Sequence, residues 1–223
     1  VHLPADADIS APVRVTEIFF SIQGESTHAG RPCVFVRSTG CDLRCGYCDT
    51  AYAFHGGRTM TIEEILAEVS RHPTRFVCLT GGEPLLQKDL PLLAEALVER
   101  GYTVSVETHG QVPLDRLPPA VHRIVDLKTP GSGEVHRDFT LFAPLTARDE
   151  LKVVVTSEDD FHWAVARIRE HRLDEKVGTV LFSPAHGAVE PRALTEWLLA
   201  SGLNARLQLQ LHKLIWGADV KGV

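Results

Sequence analysis

The chain of 223 residues is expected to fold as one α/β domain, an incomplete TIM-like barrel of mostly parallel strands. Three observations carry that expectation. Short, nearly continuous apolar runs recur along the chain, as in parallel strands covered on both faces. Amphipathic stretches separate many of them, and strand-helix alternation over one core builds a parallel sheet. Between 110 and 150 these stretches give way to Pro/Gly-rich connections, so the barrel should be trimmed and its helical cover reduced.

Residues 1–12 hold two prolines, two aspartates and no periodic pattern. They are expected to form a flexible head, leaving 13–223 as a single domain. Strands are expected at 13–20, 33–37, 76–79, 103–107, 123–127, 151–155, 179–182 and 205–210. The first helix opens at Thr61, with Glu64 in capping-box position and Ile62, Ile65, Leu66 and Val69 on one apolar stripe. Further helices are expected over 88–100, 158–171 and 191–201, with Gly101 and Gly202 where C-terminal glycine caps belong.

At 44% hydrophobic and 23% charged residues the composition is that of an ordinary globule. No apolar run approaches the roughly 20 residues of a membrane span. No charged-then-apolar leader precedes the first strand, so a cytoplasmic location is expected. A formal net charge of -6 argues against a broad nucleic-acid surface.

The chemistry concentrates in CDLRCGYC, where Cys41, Cys45 and Cys48 sit in a Cys-x3-Cys-x2-Cys pattern. Thiolates select zinc, copper(I) or iron-sulfur clusters, and an iron-sulfur cube normally takes four cysteines. Three suggest a 4Fe-4S cluster with one iron free for an exogenous ligand. The triplet alone leaves structural zinc open, with His55 or a distant residue closing a Cys3His site. Five cysteines, three of them crowded, make a poor disulfide framework and point to a reducing compartment. Cys33 and Cys78 lie inside apolar runs and read as small buried residues.

The strand expected at 76–79 runs into Thr80-Gly81-Gly82-Glu83-Pro84. Two glycines there let backbone amides approach a ligand; a plain strand-to-helix turn is the alternative. CDLRCGYCDT followed by TGGEP resembles the radical S-adenosylmethionine superfamily. SIQGES (21–26), CDTAY (48–52), VETHG (106–110) and QLHKLIW (210–216) narrow the resemblance to the 7-carboxy-7-deazaguanine synthase family, with matching segments over about 13–216.

That resemblance implies a radical S-adenosylmethionine core and a lyase that turns 6-carboxy-5,6,7,8-tetrahydropterin into 7-carboxy-7-deazaguanine, releasing ammonia, within queuosine and other deazapurine biosynthesis. It implies a 4Fe-4S cluster on Cys41, Cys45 and Cys48, S-adenosylmethionine, and Mg²⁺ on Thr50. It also implies a flavodoxin- or ferredoxin-type electron donor and a homodimer, while the charge and the short apolar runs lead us to expect no nucleic-acid or membrane partner. Cofactor contacts fall on Tyr47, Asp49, Gly82, Glu83, Asp126, Leu127, Lys128, Ser183, Pro184, Ala185 and His186. Substrate contacts fall on Ile22, Gln23, Gly24, Arg37, Thr80, Glu107 and His212.

The residue types agree with these roles. A hydroxyl suits a hard cation that keeps most of its waters, although a threonine in such a turn also bonds locally. Arginine at a strand end suits a carboxylate or simply snorkels, and an amide suits the donor-acceptor edge of a pterin. Asp126-Leu127 departs from the family's usual Ser-Pro before the lysine, which leaves the side-chain roles there in doubt. His186 and His212 read equally as exposed or structural residues, while Lys152 and Lys213 are further candidate polar contacts. Two other functions share the cysteine pattern: a glycyl-radical-enzyme activase and a zinc-stabilised interaction module.

Overall fold

The computed structural model describes residues 8–218 and 220–223. Strands β1 (Pro12–Ile22) and β2 (Pro32–Ser38) form an antiparallel hairpin, and β3 (Arg58–Thr61) pairs antiparallel with the other edge of β1. From β2 onward every pairing is parallel, through β4 (Phe76–Gly81), β5 (Thr103–Thr108), β6 (His122–Asp126), β7 (Glu150–Val155), β8 (Thr179–Pro184) and β9 (Arg206–Leu207). The sheet order is β3-β1-β2-β4-β5-β6-β7-β8-β9, with its two ends unjoined. It is therefore an open, mostly parallel barrel, as the apolar runs imply.

Successive side chains alternate between the two faces of a strand. On β4, Val77 and Leu79 join the main apolar core, whereas Phe76 and Cys78 form a second cluster with Cys33 and Phe35. The main core is completed by α1 (Ile62–Val69), α2 (Leu90–Glu99), α3 (Glu158–Glu170) and α5 (Pro191–Ser201). The other face of the strands carries Arg37, Thr80, Glu107, Asp126 and Lys152 to a cavity. Burying polar groups at those positions only makes sense if they face one another or a ligand.

Local signals were reliable. The capping box forms: Glu64 N donates to Thr61 Oγ1 at 3.1 Å, and Thr61 N to Glu64 Oε2 at 2.8 Å. Gly101 and Gly202 take φ of 79° and 64° after their helices, the left-handed region that glycine enters without a Cβ penalty. Between β5 and β7 the helical elements among the described residues are two short 3-10 turns, so the helical cover is trimmed where expected.

Four features differ from the sequence expectation. The strand β3 is additional. The last strand shrinks to Arg206–Leu207, and 211–216 instead form a short helix, α6 (Leu211–Trp216). A small helix, α4 (Leu173–Lys176), follows α3. The head expected at 1–12 lies partly outside the described residues, but 8–12 are docked rather than loose. Ala11 is buried, Ile62 N donates to Ala11 O at 3.1 Å, and Glu63 N to Ile9 O at 3.0 Å. These bonds satisfy orphan donors at the start of α1. Among the described residues no helix is long and apolar enough to cross a membrane.

Candidate active site

A cavity of about 410 Å³ opens at the C-terminal edge of the parallel strands, where barrels of this type carry their chemistry. Its walls include all three cysteines of the triplet, with Tyr47, Asp49 and Thr50 of the same loop. Facing them are Ile22, Gln23 and Gly24 at the end of β1, Arg37 on β2, Thr80 and Gly82 at the end of β4, and Glu107 on β5. Asp126 and Lys128 come from the end of β6, Ala185 and His186 from the turn after β8, and His212 from α6. The structure thus gathers residues from 22 to 212 around one space.

Four of the expected site residues do not line it. Leu127 is fully buried in the core that packs against the helices, because it follows Asp126 on the opposite face. Ser183 and Pro184 are buried at the end of β8. Glu83 is wholly buried, and its carboxylate turns inward to accept from Leu85 N at 2.9 Å, Thr108 Oγ1 at 2.8 Å and His109 N at 2.8 Å. Burial pushes that carboxyl above its usual range, against the pull of His109 and these hydrogen bonds. Its side chain therefore faces the interior and not the cavity.

The remaining side chains hold one another in place. Gln23 Nε2 donates to Glu107 Oε1 at 3.1 Å, while Thr80 Oγ1 donates to Glu107 Oε2 at 3.0 Å. Arg37 Nε donates to Glu17 Oε1 at 2.8 Å, and Tyr52 OH donates to the same oxygen at 2.7 Å. Thr50 Oγ1 donates to Asp49 Oδ1 at 2.9 Å, and Lys213 Nζ lies 2.7 Å from Asp49 Oδ2. Burial would raise the Asp49 carboxyl, but the Lys213 charge and hydrogen bond outweigh it and hold it at about 2.

Deeper in the cavity lies a chain of buried charges. Lys152 Nζ is 2.7 Å from Glu25 Oε2 and 3.6 Å from Asp126 Oδ2, and Lys128 Nζ is 2.9 Å from the same Asp126 oxygen. Gln210 Nε2 adds a bond to Glu25 Oε1 at 2.6 Å. Burial works to raise Glu25 and Asp126, yet the lysines outweigh it and hold both carboxyls below their usual range. Glu25 escapes sequence reasoning because SIQGES reads as a turn. Its spacing of two from Gln23 was the available signal, since both side chains reach the cavity.

The donor set suits an iron-sulfur cluster better than zinc. Tetrahedral zinc would bring its thiolates to within about 3.8 Å of one another. The triplet sulfurs are not gathered within 4.8 Å, and the one such grouping among the described residues is Cys41, Asp42 and His109. His55, the residue that could have closed a zinc site, is exposed and stands off the cavity wall. Tyr47 OH and Asp126 Oδ1 are buried without a hydrogen-bond partner, and buried polar atoms of this kind call for a ligand's complementary groups.

The Radical SAM superfamily profile matches residues 35–140. The 7-carboxy-7-deazaguanine synthase of Chlorobaculum tepidum is 47% identical over 217 residues, covering 96% of this chain and 98% of that protein. That of Koribacter versatilis is 45% identical over 227 residues, covering 95% and 100%. The crystal structure of QueE from Escherichia coli shares the fold with a TM-score of 0.76 at 24% identity, over 93% of this chain and 99% of that one. An open parallel barrel with three cysteines at its C-terminal edge, matched by that profile, defines a radical S-adenosylmethionine protein, and with the class come a 4Fe-4S cluster and S-adenosylmethionine. Within it, the chain belongs to the 7-carboxy-7-deazaguanine synthase family, enzymes of the radical lyase type.

Proposed function

We propose that the chain converts 6-carboxy-5,6,7,8-tetrahydropterin into 7-carboxy-7-deazaguanine with loss of ammonia, in a Mg²⁺-dependent ring contraction that feeds queuosine or another deazapurine. One observation carries the reading: a single cavity has three thiols on one wall and, on the other, an arginine beside an amide-carboxylate pair. The cluster and S-adenosylmethionine, when bound, supply hydrogen-atom abstraction from the substrate and its return.

The chain's own residues bind and orient. Cys41, Cys45 and Cys48 hold the cluster. Glu17 occupies Nε of Arg37 and leaves the rest of the guanidinium fork for the pterin carboxylate. Glu107, steadied by Gln23 and Thr80, keeps free lone pairs for an N–H edge. Thr50 offers its oxygen to Mg²⁺, with its hydrogen already turned to Asp49. Gly82 contributes backbone, and Tyr47, Asp126 and Lys128 face the cofactor, as do Ala185 and His186. Ile22, Gly24 and His212 close the substrate side.

An external flavodoxin- or ferredoxin-type donor supplies the electron to a cytoplasmic homodimer. Support for the dimer comes from Leu214, Ile215 and Trp216 of α6, which are 69%, 50% and 47% exposed, and from Leu207, exposed on the open edge strand β9. Light scattering at micromolar concentration tests that assignment. Anaerobic turnover of the carboxypterin with S-adenosylmethionine, Mg²⁺ and a reductant tests the activity. A brown, iron-loaded protein forming the deazaguanine acid is expected; a colourless zinc protein indifferent to S-adenosylmethionine refutes the reading.

A further inference from the structure

His109 follows β5, is 6% exposed, and is used by none of the roles above. Its Nδ1 accepts the backbone N–H of Gln111 at 3.0 Å. That bond puts the ring hydrogen on Nε2, which lies 2.9 Å from Asp42 Oδ1 and 3.4 Å from Glu83 Oε2. The same tautomer argues against a metal ion on Cys41, Asp42 and His109, although their ligand atoms lie within 4.8 Å of one another. A protonated Nε2 has no lone pair to give.

The cysteine loop is anchored at two separate limbs. Arg44 N donates to Glu134 Oε1 at 2.7 Å and Gly46 N to Ser132 O at 3.0 Å, tying the middle of the loop to the segment after β6. The Cys41 limb is tied to the end of β4, where Glu83 N donates to Gly40 O at 2.8 Å. Beyond Cys41, the side chain of Asp42 ties that limb to His109. Asp42 is itself half exposed, so without the imidazole it would turn to water.

We propose that His109 is a positioning residue for the radical chemistry. Through Nε2–H it fastens Asp42, and with it the Cys41 limb, to the buried Glu83 beneath Gly82. It thereby fixes the spacing between the Cys41 thiolate and the backbone that receives the cofactor. The inference rests on the proposed cluster and S-adenosylmethionine reading. Catalytic constellations tolerate only about 0.5 Å of displacement, and the backbone bonds on that limb, Glu83 N to Gly40 O and Gly40 N to Ala53 O, end one residue short of Cys41.

The test compares Asp42→Ala, His109→Leu and His109→Gln with the parent chain after anaerobic reconstitution. Glutamine places an amide N–H about where Nε2–H lies, and Asp42→Ala changes an exposed side chain. Measured are iron per chain, the thermal midpoint, and the electron paramagnetic resonance signal of the reduced cluster titrated with S-adenosylmethionine. Asp42→Ala and His109→Leu should weaken cofactor binding about tenfold and broaden the cofactor-induced signal. Asp42→Ala should keep the parent midpoint, and His109→Gln should restore the parent signal. Parent-like affinity and signal in Asp42→Ala overturn the proposal, whether or not His109→Leu folds. A parent chain that takes up no cluster overturns the cofactor reading itself, and this proposal with it.

Discussion

Gly82→Ala tests how tightly the end of β4 is fitted to the cysteine loop. A Cβ at this position would lie 2.7 Å from Gly40 C and 2.9 Å from Cys41 Cβ, and closer still to Gly40 O. Two of those three atoms are backbone, and Gly40 is itself held by its N–H to Ala53 O at 2.8 Å. No flexible side chain is available to give way, so strand end and loop must part by about 1 Å. Overpacking of this kind costs about 1–3 kcal/mol. Loss of the Glu83 N to Gly40 O bond adds about 1 kcal/mol. The expected destabilisation is therefore about 2–4 kcal/mol, read from urea midpoints of the cluster-free protein. Iron uptake on reconstitution should fall below half, because the displaced atoms include Cys41. Gly46→Ala is the control: it lies in the same loop, with nothing within 4 Å of an added Cβ, and should stay within about 0.5 kcal/mol. Equal midpoints and equal iron in the two variants would refute the reasoning.

Three further outcomes are expected. In Gly24→Ala the new Cβ meets the His212 ring, with Cγ at 3.0 Å and the His212 backbone N at 3.1 Å; displacing α6 should raise the pterin KM about tenfold, with iron content unchanged. Thr50→Val keeps the shape and removes the hydroxyl, so activity should lose its Mg²⁺ dependence while the cluster absorbance persists; an unaltered Mg²⁺ titration would contradict that role. Asp49 has a carboxyl held at about 2 against about 3.9 in an unfolded chain. Its contribution to stability is therefore complete above about pH 4 and lost as pH falls through 2. The difference in urea midpoint between the parent and Asp49→Asn should shrink steadily across that window, and a constant difference would show that Lys213 does not act through the Asp49 charge.

Features written in neighbouring residues were readable in the chain. The Thr61–Glu64 box depends on residues three apart, and the glycine caps at 101 and 202 on one backbone angle each. Parallel strands announce themselves by apolar runs because both of their faces are covered. The polar strand β3, RTMT, gives no such signal, and its pairing partner is β1, more than forty residues earlier. α6 was missed because it buries no residue; it is placed by Leu211 N on Gly24 O at 3.0 Å and by Lys213 on Asp49.

The same distinction runs through the site. Cys41, Cys45 and Cys48 lie within eight residues, and a spacing that short confines three thiols to one loop whatever the rest of the chain does. The sequence by itself therefore determined a soft-metal site on one loop, the open parallel barrel and the family resemblance, while the position of His55 off the wall that the cysteines line was decided by the fold. Which carboxylates reach the cavity was decided only in three dimensions. Glu83 stands in the motif, yet Leu85 N in its own turn and two donors from the end of β5, Thr108 Oγ1 and His109 N, draw it inward. Glu25 and His109, unassigned in the sequence, become a buried partner of Lys152 and a tie to the cysteine loop. Apart from the local bond to Leu85, those pairings join residues 25 to 127 positions apart. A buried charge goes where its counter-charge lies, and only the folded sheet brings the two together.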